Sequence, residues 1–250
     1  LFLIVLIEAN NLSEGVMVKG GKLICILLFF LSSCATTTHD VEMSKAHYQV
    51  GLSYVRENKM QLAFVEFQKA VALNSDNKEA LNALGVAYLE FDDLQKAEEV
   101  FLKAIRLDED YSEAYSNLGA TYGRMGRWPD AISAFRTAAR NTLYRKPEIA
   151  YSGLGNAYYR LGQLDNAIDS YKEALKRIPD FYRSYYGLAL CYNAQGRYGD
   201  AASAMKRAID LDPIFKGNRE KAMEYLNNKR MEVSNEELKD VLNYLEVLNY

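Results

Sequence analysis

Few residues in this chain could do covalent or acid–base chemistry. There are two histidines, His39 and His47, and three cysteines, Cys25, Cys34 and Cys191. Neither histidine belongs to an H-E-x-x-H pair, no CxxC is present, and G-x-S-x-G and G-x4-G-K-[ST] are both missing. Gly153-Leu154-Gly155 starts like a dinucleotide loop but falls inside a helical register, where no phosphate loop forms. The carboxylates sit mostly at helix starts and on helix surfaces expected to be solvated. No catalytic constellation, metal site or cofactor box is therefore expected, and the function is read as non-enzymatic, without a small-molecule substrate. A net charge of −3 gives no reason to expect a nucleic-acid partner.

The elements that position these residues repeat every 34 residues, from Gly51 to Gly85 to Gly119. A tyrosine follows each glycine by three residues (Tyr54, Tyr88, Tyr122), an alanine by twelve (Ala63, Ala97, Ala131) and a phenylalanine by sixteen (Phe67, Phe101, Phe135). The register slips by two residues and resumes as Gly155, Tyr158, Ala167 and Tyr171, then as Ala189, Tyr192, Ala201 and Met205. This pattern resembles the tetratricopeptide repeat, with its W-x2-L-G-x2-Y, A-x3-F and P signature. The resemblance implies an all-α superhelical solenoid of about five full repeats, near 44–77, 78–111, 112–147, 148–181 and 182–215. Residues 216–250 are expected to be capping helices. The small residues mark close helix approach, and the aromatic stripe is read as core. Asn58, Asp92, Gly126, Gly162 and Gly196 stand where each first helix should end in the left-handed conformation.

Upstream of the repeats, the chain opens on Leu1, and residues 1–16 carry no assignable role. From Met17, Lys19 and Lys22 precede an apolar run from Leu23 to Phe30, a length that suits an export signal over 17–33 better than a membrane span. Leu31-Ser32-Ser33-Cys34 resembles the lipobox of bacterial lipoproteins. That resemblance implies cleavage before Cys34 and fatty acylation (palmitate-type chains) of its amine and thiol, giving a membrane anchor. Ala35 after the cysteine, by likeness to lipoprotein sorting signals, implies the outer membrane with the repeats on the periplasmic face. Residues 34–43 are expected to be a mobile lipidated tether ahead of a TPR domain over 44–250. With Cys25 removed and Cys34 acylated, Cys191 is left alone, so no intramolecular disulfide can form and a small buried apolar role is expected for it.

The junction Asn141-Thr142-Leu143-Tyr144-Arg145-Lys146-Pro147 holds the two extra residues, with Pro147 expected to open the next helix. Together with the lipobox and the repeat number, it resembles the pilotin family of type IV pilus biogenesis lipoproteins (PilW/PilF/Tgl), with Thr142, Leu143 and Tyr144 matching and Arg145 where proline is common. The likeness implies an outer-membrane scaffold that binds the secretin and promotes its localisation or multimerisation. A general envelope adaptor for polysaccharide export or peptidoglycan-processing enzymes is the alternative.

In tetratricopeptide arrays the partner lies in a concave groove lined by the first helices. Carried onto this chain, the groove residues are an apolar strip of Tyr48, Leu52, Val55, Val86 and Leu89, and a distal cluster of Arg124, Tyr159, Arg160, Arg183 and Tyr186. The strip suits an amphipathic helix, and the cluster suits an acidic segment or is a solvated face. Near the C-terminus, Ser234-Asn235-Glu236-Glu237 reads as a capping box opening a final helix, with Leu238, Val241, Leu242, Leu245 and Leu248 on one side to cover the last repeat.

Overall fold

The computed structural model describes residues 19–233 and 235–250, with side chains from Thr38 onward. The N-terminal extension, the signal-peptide side chains, acylation at Cys34 and the capping Ser234 lie outside the described residues. The described residues form twelve α-helices and no strand. Paired in order they are α1 (Lys19–Arg56) with α2 (Met60–Leu73), α3 (Lys78–Glu90) with α4 (Leu94–Leu107), and α5 (Ser112–Arg124) with α6 (Trp128–Arg140). Then come α7 (Pro147–Arg160) with α8 (Leu164–Arg177), α9 (Tyr182–Ala194) with α10 (Tyr198–Leu211), and finally α11 (Arg219–Lys229) and α12 (Asn235–Val247).

The expected tether is not a separate element, because α1 passes through 34–43 without a break. No glycine or proline lies between Lys22 and Val50 to stop the helix. At 1.5 Å per residue, 35–43 spans about 14 Å, against about 30 Å if extended.

Every first helix ends in the same lock. The carbonyls of Tyr54, Tyr88, Tyr122, Tyr158 and Tyr192 accept from the backbone N–H five residues on, at 2.8–3.0 Å. Just before each of these donors stand Asn58, Asp92, Gly126, Gly162 and Gly196, with φ of 57°, 60°, 73°, 71° and 72°. This is the helix-ending geometry expected from the sequence, and it turns the chain directly into the second helix.

Stacking buries what one hairpin leaves exposed. The second-helix alanines Ala63, Ala97, Ala131, Ala167 and Ala201 are all at 0% exposure. On the first helices, Leu84, Leu118, Leu154 and Leu188 are buried against the preceding repeat. Their counterpart Val50, with no repeat before it, is 44% exposed. The contrast is the nearest-neighbour logic of a solenoid in one residue position.

The recurring glycine is dictated by the aromatic of its own hairpin. A Cβ on Gly85 would lie 2.5 Å from the Phe101 ring, and one on Gly119 or Gly155 would lie 2.8 Å from Phe135 or Tyr171. In repeat five the aromatic is replaced by the flexible Met205, and the glycine becomes Ala189, with both residues buried. Gly119→Ala should therefore destabilise the protein. Overpacking of about 1–3 kcal/mol outweighs a helix-propensity gain of about 1 kcal/mol. Adding Phe135→Met should recover most of the loss, read as a coupling in a double-mutant cycle of urea denaturation.

Between repeats three and four, Asn141 holds the two-residue insertion. Its Oδ1 accepts from Leu143 N at 2.9 Å, and its Nδ2 donates to Ser112 Oγ at 2.8 Å and to the Asp110 carbonyl at 3.0 Å. Tyr144 tucks inward while Leu143 points out, 86% exposed, and Pro147 opens α7 as expected.

Candidate functional site

The first helices α1, α3, α5, α7 and α9 line the inward face. At its N-terminal end Val55 is exposed, whereas Tyr48, Leu52, Val86 and Leu89 are half-buried along the edge of the core. Tyr48 packs its ring 6.2 Å from that of Phe67. Burial first, and then the carboxylate of Glu79, raise the pKa of the Tyr48 hydroxyl. Asn117 Nδ2 donates to Asn82 Oδ1 at 2.9 Å, tying α3 to α5 across the floor.

Arg124 lines the same cavity as Arg160 and Tyr186, but its head group is already engaged. Its guanidinium donates to the Leu89 carbonyl at 2.5 Å and to Asp92 Oδ1 at 2.8 Å, so it stitches repeat three onto repeat two. Arg183 stays exposed, 5.9 Å from the Tyr182 ring. The remaining three, Tyr159, Arg160 and Tyr186, do come together, and they are covered. The cover is α12, which crosses from the C-terminus onto the concave side of α7 and α9.

The seat of α12 is built from paired polar groups around aromatic contacts. Arg160 donates to Asp240 through Nη2 at 2.5 Å and Nη1 at 3.3 Å, with Glu236 3.7 Å away. The Tyr159 hydroxyl donates to Asp240 Oδ1 at 3.5 Å. Tyr186 meets Tyr244 edge-on at 5.6 Å, and its hydroxyl donates to Asp212 Oδ2 at 3.1 Å. Asn193 donates to Glu246 and accepts from the Tyr250 hydroxyl, both at 3.0 Å. Burial dominates the electrostatics here. It raises the pKa of the Asp240 carboxyl despite the opposing pull of Arg160, and pushes the Tyr159 hydroxyl up to about 12.

The final helix covers repeat five as the sequence led one to expect, but its reach to Arg160 of repeat four was not anticipated. Val241, Val247 and Leu248 are buried as an apolar face requires, but Leu242 is 48% exposed. Asp240, on a neighbouring face, turns inward with only 14% of its side chain exposed. The missed signal was Glu236, Asp240 and Tyr244 at four-residue spacing, one line along a helix. Beside α12 the trough is not filled. A cavity of about 1000 Å³ remains, lined by Trp128, Tyr186, Phe215, Tyr225 and Tyr244 among others.

Cys191 is fully buried and burial pushes its thiol up to about 12, which suppresses the reactive thiolate. His47 bonds Glu66 at 2.6 Å on the side of repeat one. Among the described residues no group of three His, Cys, Asp or Glu is placed to hold a metal, and no helix is long and apolar enough to cross a membrane.

Family profiles described as tetratricopeptide repeat match residues 44–77, 66–99, 92–126, 117–180 and 152–213, together spanning well over half of the chain. Among solved structures, PilW, described as a widely conserved type IV pilus biogenesis factor, superposes with a TM-score of 0.65 at 24% identity, covering 80% of this chain and 98% of PilW. The pilF protein of Pseudomonas aeruginosa gives 0.62 at 20% identity, covering 83% and 97%. MamA gives 0.55 at 29% identity, covering 65% and 94%. The PilW and pilF likenesses establish shared fold. No curated protein matches the sequence.

Proposed function

Because this chain belongs to the tetratricopeptide repeat family, whose stacked hairpins offer extended concave binding surfaces, we propose that it is a non-enzymatic, lipid-anchored outer-membrane scaffold for type IV pilus assembly. Its partner on this reading is the secretin, whose localisation or multimerisation it promotes from the periplasmic face. What supports the reading is the set Leu52, Val55, Val86 and Leu89, apolar, exposed or half-buried, at first-helix positions that face the concave side in tetratricopeptide arrays, with no metal-holding cluster among the described residues. The shared fold with PilW and with the pilF protein points the strip toward pilus biogenesis. Acyl chains on Cys34 would hold trough and partner to one surface, so modest affinity in the groove suffices through effective concentration.

Leu52→Asp with Val86→Asp should weaken secretin capture by at least tenfold, measured by pull-down with detergent-solubilised protein. Both residues are half-buried, so the exposed Val55→Asp probes the same strip without entering the core. Undiminished capture by folded variants would reject the strip as the docking site.

A second reading, a general envelope adaptor for polysaccharide export or peptidoglycan-processing enzymes, draws on the fold likeness to MamA and to YrrB, described as having an unusual peptide-binding site. Crosslinking in intact cells separates the two. Recovery of secretin supports the first reading, and recovery of export or peptidoglycan enzymes without secretin supports the second.

A further inference from the structure

The occupant of the distal trough is part of the chain itself, and its chemistry describes the ligand that the trough is built to take. We infer that this part of the concave face binds an amphipathic acidic helix patterned like α12, with a carboxylate, a second carboxylate four residues later and an aromatic four after that. Such a helix from a partner protein displaces α12 as it binds. The inference rests on the concave face being the docking surface.

Two features separate α12 from a plain cap. A plain cap needs only its apolar inner face, which α12 has in Val241, Val247 and Leu248, and Leu242 could have extended it. Instead Leu242 faces out and Asp240 faces in, against Arg160, whose side chain is 16% exposed. A pair so deeply buried adds little net stability, because desolvation offsets the attraction, but it fixes register and selects an acidic partner.

The fit is also incomplete. Arg160 Nε is buried with no hydrogen-bond partner, although both Nη atoms are engaged. The cavity beside α12 is edged by Trp128, Phe215 and Tyr225, so the trough is wider than the helix lying in it. A helix with bulkier apolar side chains beside its carboxylates would fill that space and release α12.

α12 is held to α11 by the Lys229–Glu237 ion pair at 2.8 Å, and Arg219 donates to the Leu248 carbonyl. In the link between them Met231 is 80% exposed, and α11 begins after Gly217 at φ 82°. The interior of repeats one to three is packed without α12, whereas Val241, Val247 and Leu248 share a core with Leu188 and Met205 of repeat five, so an incoming helix must supply an equivalent apolar face.

The test uses the full chain in detergent and a fluorescent peptide of residues 235–250 as probe. Asp240→Lys with Tyr244→Ala unseats α12 while leaving the trough residues of α7 and α9 in place. The variant should bind the peptide at least tenfold more tightly than wild type, because apparent affinity rises as the binding-competent fraction rises. A peptide carrying Asp240→Lys should not bind. Equal binding by a folded variant and by wild type would overturn the inference. Should the variant fail to fold, hydrogen exchange on wild type decides. Amides of 235–250 should exchange at least a hundredfold faster than those of α9 and α10, and exchange at a common rate would show a fixed cap. Secretin capture that depends on Leu52 and Val86 but ignores the α12 variant would remove this inference and leave the scaffold reading standing.

Discussion

Phe101→Ala is expected to cost about 3–5 kcal/mol, enough to unfold a large fraction of the molecules in a marginal array. The ring is fully buried, faces Gly85 from its own hairpin, and belongs to the core shared with Leu118 and Ala114 of the next repeat. Truncation therefore empties both an intra-repeat and an inter-repeat contact. Because each repeat is stabilised by its neighbours, the loss should spread along the array rather than stay local. In urea, the midpoint should fall and the transition should broaden as repeats one and two uncouple from the rest. Phe101→Leu should cost well under half as much. A midpoint shift equal to that of a surface substitution would contradict the packing described.

Cys34→Ala is expected to move the protein from the membrane to the soluble fraction. A single fatty chain gives only marginal binding, with a partition constant of about 10⁴ M⁻¹, and two or more chains are needed for stable anchoring at about 0.8 kcal/mol per buried methylene. No helix of the described residues is long and apolar enough to span a bilayer, so on this reading the acyl chains carry the attachment. Fractionation of cells followed by blotting reads the result. A variant that remains membrane-bound, released only by detergent, would contradict acylation as the anchor. The continuous α1 adds a geometric corollary. On the same reading, a helical 35–43 would set the repeats about 14 Å from the anchor, below the ~30 Å reach of an extended tether.

The fold was legible because its constraints are local and repeat. Glycine opposite phenylalanine, tyrosine three residues on, and a left-handed residue ending each first helix are all short-range rules, and each was met in register. Even the departure at Ala189 and Met205 is readable once the pair is treated as one unit, since the smaller demand of methionine removes the need for glycine. For the apolar strip of repeats one and two, the sequence left the degree of burial open. Position along a helix does not say how far a neighbouring repeat will lean over Leu52 or Val86.

The distal site was only half legible. Arg160, Tyr159 and Tyr186 were identified as a cluster suited to an acidic segment, but the segment is about 80 residues downstream in this same chain. Periodicity assigned α12 an apolar face from its leucines and missed the acidic line beside it, because a single helix offers more than one face and only tertiary contact chooses between them. Arg124 shows the same limit in reverse. It belongs to a concave position, yet the carbonyl of Leu89 and the carboxylate of Asp92 take it up.

The central claim is that this array acts by holding another polypeptide, in pilus assembly, and not by catalysis. The most direct test is the state of the secretin in envelopes from cells lacking the protein, resolved by gel electrophoresis without heat dissociation. The account predicts secretin monomers and no surface pili, with multimers restored by the wild-type chain but not by Leu52→Asp/Val86→Asp. Normal secretin multimers and normal piliation in cells lacking the protein would contradict it.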